Sequence, residues 1–249
     1  MLVGRDAELA ELGAALSRIA TGGALYLFTG EPGIGKTRLA SEVTSIARAK
    51  GARVSWGRCW EAGGAPPFWP WREGLEGCGV AFPEAATMAS MDPAEARFAL
   101  FREVASALGR EAARQPLLIV LEDLHAADQP TLLLLEFLAN QLRALPIVVV
   151  GTFRDREAHL RPEAGEALLR VGRSGRELRL SALSEAEVGT LLGDAIEGAD
   201  AKLAATVYAI THGNPLFVDE MVRDVKARGR VIGISVIAGT SAHCLPWKA

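Results

Sequence analysis

Leu25-Tyr26-Leu27-Phe28-Thr29-Gly30-Glu31-Pro32-Gly33-Ile34-Gly35-Lys36-Thr37, followed by an Ala-rich run through Ala49, spells strand, glycine loop and helix in one short segment. The residues up to Thr29 have the length and apolarity of a buried strand, and those after Thr37 have helical character. Between them, Gly30-x-x-x-x-Gly35-Lys36-Thr37 completes the phosphate-loop pattern in the context that pattern requires. Glycines let the backbone wrap around phosphates, so that amide N–H groups and the positive helix end face the anion with no Cβ in the way. Lys36 is expected to reach the β- and γ-phosphates, and Thr37 to offer its hydroxyl to Mg²⁺. The expected ligand is therefore ATP, or a close nucleoside triphosphate, with Mg²⁺. Its candidate contacts are Gly30, Pro32, Gly33, Ile34, Gly35, Lys36, Thr37 and Arg38.

Upstream, Leu9, Leu12, Leu16 and Ile19 recur at helical spacing until Gly22-Gly23 breaks the pattern. Downstream, Val54-Ser55-Trp56 suggests a second strand, and the Gly/Pro/Trp-rich stretch from Gly57 to Trp71 reads as a loop or lid. A helical pattern near Ala94–Leu108 leads into Leu117-Leu118-Ile119-Val120-Leu121, whose uniform apolarity is typical of a central parallel strand. Asp128 and Pro130 look like the start of a helix over Thr131–Leu142, and Pro146–Thr152 gives a further buried strand. Strands and helices thus alternate. The pattern predicts an α/β fold with a mostly parallel sheet sandwiched by helices, which binds ligands at the carboxyl ends of its strands, where Gly30, Glu122 and Thr152 lie.

From Ser184 the texture changes. Ser184-x-x-Glu187 forms a capping box, and helical stretches follow near 185–195, 200–211 and 216–228. We expect a P-loop NTPase core over 1–180, a small helical subdomain over 181–229 and a tail over 230–249 whose structure the pattern does not define.

Glu122-Asp123, two carboxylates leaving the end of an apolar strand, fit a Walker B site. One acid would hold Mg²⁺, in part through water, and the other would orient or deprotonate the attacking water; the pattern leaves the assignment open. Thr152-Phe153-Arg154 closes another strand, and with that strand inserted beside the first, Arg154 becomes a candidate sensor of the γ-phosphate. Lys36, Glu122, Asp123 and Arg154 are the candidate catalytic set, with Thr37, Glu122 and Asp123 for the metal. Trp56, Trp60, Trp69 and Trp71 cluster as packing or as an aromatic platform, packing being the commoner use. His125 follows the acids closely enough to approach the site or to be structural.

Bulk properties narrow the classes. With 249 residues, 49% hydrophobic and 23% charged, the chain can bury a sizeable core. A formal net charge of −3 without a dense basic block argues against nucleic acid bound by this chain itself. Cys59, Cys78 and Cys244 are odd in number and widely spaced, which suits a reducing cytoplasm rather than a disulfide framework or a zinc site. No apolar run reaches the length of a membrane span, and no export signal is read at the N-terminus.

Taken together, Val3-Gly4-Arg5-Asp6, Gly30–Thr37, Leu121-Glu122-Asp123-Leu124-His125, Gly151-Thr152-Phe153-Arg154-Asp155 and Gly213-Asn214-Pro215-Leu216-Phe217-Val218 resemble the STAND class of AAA-type ATPases. The set is similar to the module found in large LuxR-type bacterial transcription regulators and in multidomain cyclases and kinases, over about residues 2–228. The resemblance implies Val3, Gly4 and Arg5 near the adenine, Arg154 as sensor 1, and Pro215 touching the nucleotide from the helical subdomain. It also implies an ADP/ATP switch with slow hydrolysis and ATP-dependent self-association. Ala126 stands where many relatives have tryptophan. Relatives continue into further domains, so the chain is expected to be truncated, or frame-shifted after about residue 230. Two alternatives compete with the ATPase switch: a nucleotide-binding interaction module without significant turnover, and a phosphate-loop kinase, for which no acceptor site is seen.

Overall fold

The computed structural model describes residues 2–62, 64–83 and 92–228. The expected tail over 230–249 lies outside the described residues. In chain order the elements are α1 (Asp6–Ser17), β1 (Ala24–Thr29), α2 (Lys36–Ala49), β2 (Arg53–Arg58), α3 (Trp69–Gly77), α4 (Pro93–Arg114) and β3 (Leu117–Glu122). They continue with α5 (Gln129–Ala139), β4 (Ile147–Thr152), α6 (Asp155–His159), α7 (Pro162–Ser174), β5 (Arg176–Arg179), α8 (Glu185–Ala195), α9 (Ala201–Thr211) and α10 (Pro215–Arg228). The chain forms two compact units, and the boundary between them in the sequence falls at Leu180/Ser181.

The larger unit is built on one sheet in the order β2-β3-β4-β1-β5, with every neighbouring pair parallel. Every residue of β3 and β4 is buried, because helices cover both faces of the sheet and a central parallel strand meets no water. Alternate residues supply two cores. Leu25, Leu27, Ile119 and Val149 pack with residues of α3, α4, α5 and α7, while Phe28, Leu118, Val120 and Val150 pack with those of α1 and α2. Strand alternation thus splits an all-apolar sequence between two layers. In register, Phe28 lies beside Thr152, Leu121 beside Gly151 and Arg58 beside Glu122. The polar residues after β1, β2, β3 and β4 therefore emerge together at one edge of the sheet.

The stretch 57–71 differs from the loop or lid expected of it. β2 runs on to Arg58 and α3 begins at Trp69, just after Phe68 with φ 63°. The Trp71 ring is wholly buried and its indole N–H donates to the Thr131 carbonyl at 3.1 Å, so it is a core residue. Trp56 is half-buried against the second core, whereas Trp60 is 60% exposed. The segment serves as packing at its ends and presents one tryptophan to solvent between them.

The smaller unit packs α8, α9 and α10 around Leu183, Val188, Leu192, Val207, Val218 and Val222. Its helix starts are capped by local chemistry. The Ser184 hydroxyl accepts from the Glu187 N–H while the Glu187 carboxylate accepts from the Ser184 N–H, and Asp200 accepts from the Leu203 N–H at 2.8 Å.

Candidate functional site

The loop between β1 and α2 owes its path to glycine. Gly30 has φ 136°, and a Cβ there would lie 2.8 Å from the Leu180 carbonyl oxygen; Gly35, with φ 100°, caps α2 in a left-handed conformation. The loop is braced from behind by Arg5, a buried residue whose guanidinium donates to the Ile34 carbonyl at 3.1 Å. In front, the Lys36 ammonium donates to the carbonyls of Gly30 at 2.8 Å and Glu31 at 2.9 Å, so it lies across the mouth of the loop. Burial, and next the nearby Arg154, lower its pKa, while Asp123, Asp155 and Glu157 act in the opposite sense.

Glu122 and Asp123 leave β3 side by side but are held differently. The nearly buried Glu122 carboxylate accepts from the Thr37 hydroxyl at 2.6 Å through Oε1 and from the Arg58 guanidinium through Oε2. That bond raises the Arg58 pKa, by hydrogen bonding and then by charge. Asp123 instead turns into the left-handed region, φ 59°, a conformation aspartate tolerates better than most residues. Its N–H donates to the Thr152 hydroxyl at 3.2 Å at the end of β4, which ties the two strand ends together. Thr37 and Glu122 form an all-oxygen donor pair, a set that fits Mg²⁺.

Arg154 follows β4. Its guanidinium donates to both Glu157 oxygens, at 2.8 and 3.1 Å, and lies 3.2 Å from Glu61 Oε1. The same two glutamates flank His125: Nε2 is 2.7 Å from Glu157 Oε2 and 3.4 Å from Glu61 Oε1. These distances lack hydrogen-bond alignment, and neither ring nitrogen has a hydrogen-bond partner among the described residues. Burial lowers the His125 pKa, with Glu157 and then Asp123 opposing.

The structure thus brings Lys36, Thr37, Glu122, Asp123 and Arg154 to one edge of the sheet. Pro32, Gly33 and Ile34 lie in the same loop, and Arg38 on α2 pairs with Glu42 at 3.1 Å on an exposed helix face. Val3 and Gly4 lie just ahead of α1. Pro215 opens α10 in the smaller unit, where its neighbour Asn214 caps the helix by accepting from the Leu216 N–H at 3.1 Å. Sequence reasoning missed Arg58, Glu61 and Glu157. Arg58 would have been visible from the register of β2 on β3, which sets it opposite Glu122. No sequence signal marks the two glutamates, whose meeting depends on three strand ends converging.

Residues 1–150 match the AAA ATPase domain family, and the chain belongs to that family. It is an ATPase-type nucleotide-binding module. Its fold is similar to that of Cdc6p from Pyrobaculum aerophilum (TM-score 0.61, 17% identity, covering 92% of this chain and 64% of that one). It is also similar to a STAND protein with a tetratricopeptide repeat sensor from Pyrococcus horikoshii (TM-score 0.55, 18% identity, 89% of this chain and 30% of that one). A third likeness is to the ORC2 protein of Aeropyrum pernix in its ADPNP–ADP complexes (TM-score 0.52, 18% identity, 92% of this chain and 65% of that one). The chain therefore spans less than two thirds of the length of each of these structures. No curated protein sequence matches it. Among the described residues no helix is long and apolar enough to cross a membrane.

Proposed function

We propose that the chain binds ATP with Mg²⁺ on the Gly30–Thr37 loop, hydrolyses it slowly, and uses the difference between ADP and ATP as a switch. The observation that carries this reading is the Thr37–Glu122 hydrogen bond beside a buried Lys36. It joins the phosphate loop to the acidic strand end through two oxygen donors of the kind Mg²⁺ takes. When bound, Mg²⁺ offsets charge on the β- and γ-phosphate oxygens.

The chain's own residues divide the remaining work. Lys36 exchanges its two carbonyl partners for phosphate oxygens. Glu122, already engaged by Thr37 and Arg58, is the acid assigned to the metal; Asp123, free of that clamp, is the acid assigned to the water. The water oxygen bonds to the γ-phosphorus as the bond from that phosphorus to the β–γ bridging oxygen breaks, and the water proton goes to Asp123. Arg154 acts as sensor 1 by leaving Glu157 and Glu61 for the γ-phosphate. Val3, Gly4 and Arg5 near the adenine, and Pro215 on a helical subdomain over 181–229 beside a core over 1–180, complete the proposed arrangement. The resemblance to STAND modules supports these roles, together with self-association in the ATP state and a place in a bacterial signalling or transcription regulator of the cytoplasm. The net charge of −3 keeps direct nucleic-acid binding out of the proposal.

Calorimetric titration with ATP and with ADP in Mg²⁺, repeated on Lys36→Ala and followed by phosphate release, tests the reading. Binding lost in the variant and slow release in the parent are expected; a folded parent that binds neither nucleotide would overturn it. The pairing of Arg154 with two glutamates favours a second reading, nucleotide binding without turnover, and absence of phosphate release from a nucleotide-bound chain selects that one.

A further inference from the structure

His125 is 3% exposed, and both its ring nitrogens lack a hydrogen-bond partner among the described residues. A buried imidazole in a native protein almost always either hydrogen-bonds or ligates a metal. Its surroundings point to the second. Glu61 follows β2, Asp123 and His125 follow β3, and Glu157 lies on α6 after β4, so three strand ends deliver acids to one imidazole. One ligand atom each from Glu61, Asp123 and His125 lie within 4.8 Å of one another. Around a tetrahedral cation with bonds of about 2.0–2.2 Å, neighbouring ligand atoms sit about 3.3–3.5 Å apart. The 3.4 Å between His125 Nε2 and Glu61 Oε1 already meets that spacing, and the Asp123 ligand atom lies within 4.8 Å of the other two.

We propose that His125, Asp123 and Glu61 form a binding site for a divalent transition cation of the zinc, cobalt or nickel kind, with water completing the coordination and Glu157, whose Oε2 lies 2.7 Å from His125 Nε2, drawing back from the imidazole. The imidazole selects this class over Mg²⁺ and Ca²⁺, whose ligand sets are oxygen. The site is separate from the all-oxygen pair Thr37 and Glu122. Arg154 now neutralises Glu61 and Glu157 from a side chain 30% exposed, so it can swing out as the cation replaces it. The cation also bonds the His125 nitrogen, which a guanidinium, a donor only, cannot do. Occupancy draws Asp123 out of the nucleotide site and releases Arg154, so the metal restrains hydrolysis; this consequence rests on the ATPase reading, whereas metal binding itself does not.

The test is titration of the whole chain with Co²⁺ in the absence of nucleotide, followed by visible absorption and equilibrium dialysis. Expected are the d–d bands of four- or five-coordinate nitrogen and oxygen ligation, and displacement of the bands by Zn²⁺. Glu61→Gln, at a half-exposed position where folding is not at stake, should weaken binding about tenfold or more, and His125→Gln should do the same with folding checked by thermal melting. Absence of these bands, or Co²⁺ affinity unchanged in either variant, overturns the proposal. A chain that binds Co²⁺ in this way but binds no ATP upholds the metal site and refutes the ATPase reading instead.

Discussion

Two halves of the same strand-end site are organised in opposite ways. On the side of the phosphate loop, the Lys36 ammonium has two carbonyl partners, and the Glu122 carboxylate has a hydroxyl and a guanidinium. On the side of β4 and α6, Arg154 shares two glutamates with a histidine that has no hydrogen bond of its own among the described residues. The first half is satisfied as it stands, and the proposed phosphate contacts would replace its partners one for one. The second is a charge cluster with an unmet donor or acceptor, which a rearrangement can improve. On the proposed function, preorganisation for binding falls to one half and capacity for switching to the other.

The largest effect tests that division at its hinge. Asp123→Asn keeps size and shape but removes the base, so nucleotide binding should persist while phosphate release falls by about 10²–10⁴. A rate lowered less than about tenfold would move the base to Glu122 and cancel the division of labour between the two acids. Next, Lys36→Ala removes charge-assisted bonds from the satisfied half. ATP affinity should drop about a hundredfold, near 3 kcal/mol, by calorimetry. The melting temperature should hold within about 2–4 °C, the shift of about 1 kcal/mol in a domain of this size.

A smaller effect concerns Arg58, whose side chain is 63% exposed against 4% for Glu122. An exposed partner of this kind contributes about 1 kcal/mol or less once solvent screening is counted. Arg58→Gln should therefore cost little stability. It removes the cation that competes for the Glu122 carboxylate, so added Mg²⁺ should raise the melting temperature of the variant more than that of the parent. Equal Mg²⁺ responses would mean that Glu122 is not the metal's acid.

Much of the satisfied half was legible in the sequence, because local patterns produce it. β3 and β4 are apolar up to their last residues, the glycine loop follows a strand and opens a helix, and Ser184-x-x-Glu187 and Asp128 cap the helices their positions indicate. The other half was not. β5, Arg-Glu-Leu-Arg, buries only Leu178 at the sheet edge and carries no apolar signal, although it pairs along β1 and places Glu177 within 3.1 Å of the Thr29 hydroxyl. Glu61 and Glu157 belong to connections that only tertiary folding brings together. The four clustered tryptophans share one composition but have different fates, since burial of Trp71 depends on α3 docking where Thr131 offers a carbonyl.

Thr131 provides the smallest and most discriminating comparison. Its side chain is fully buried at the start of α5, its N–H donates to Asp128 at 2.7 Å and its carbonyl accepts from Trp71, yet its hydroxyl has no partner among the described residues. Removing a buried polar atom that has a partner typically costs about 1–3 kcal/mol, whereas removing one without a partner costs nothing and relieves desolvation. Thr131→Val preserves shape, the β-branch and both backbone bonds. It should leave stability unchanged or raise it by up to about 1 kcal/mol. Ser184→Ala, which breaks a paired cap, should lower stability by about 1 kcal/mol in the same denaturation series. If Thr131→Val were instead the more destabilising of the two, its hydroxyl must have a partner in solution. The same inference would then extend to His125, and the contrast between a satisfied and an unsatisfied half would have to be abandoned.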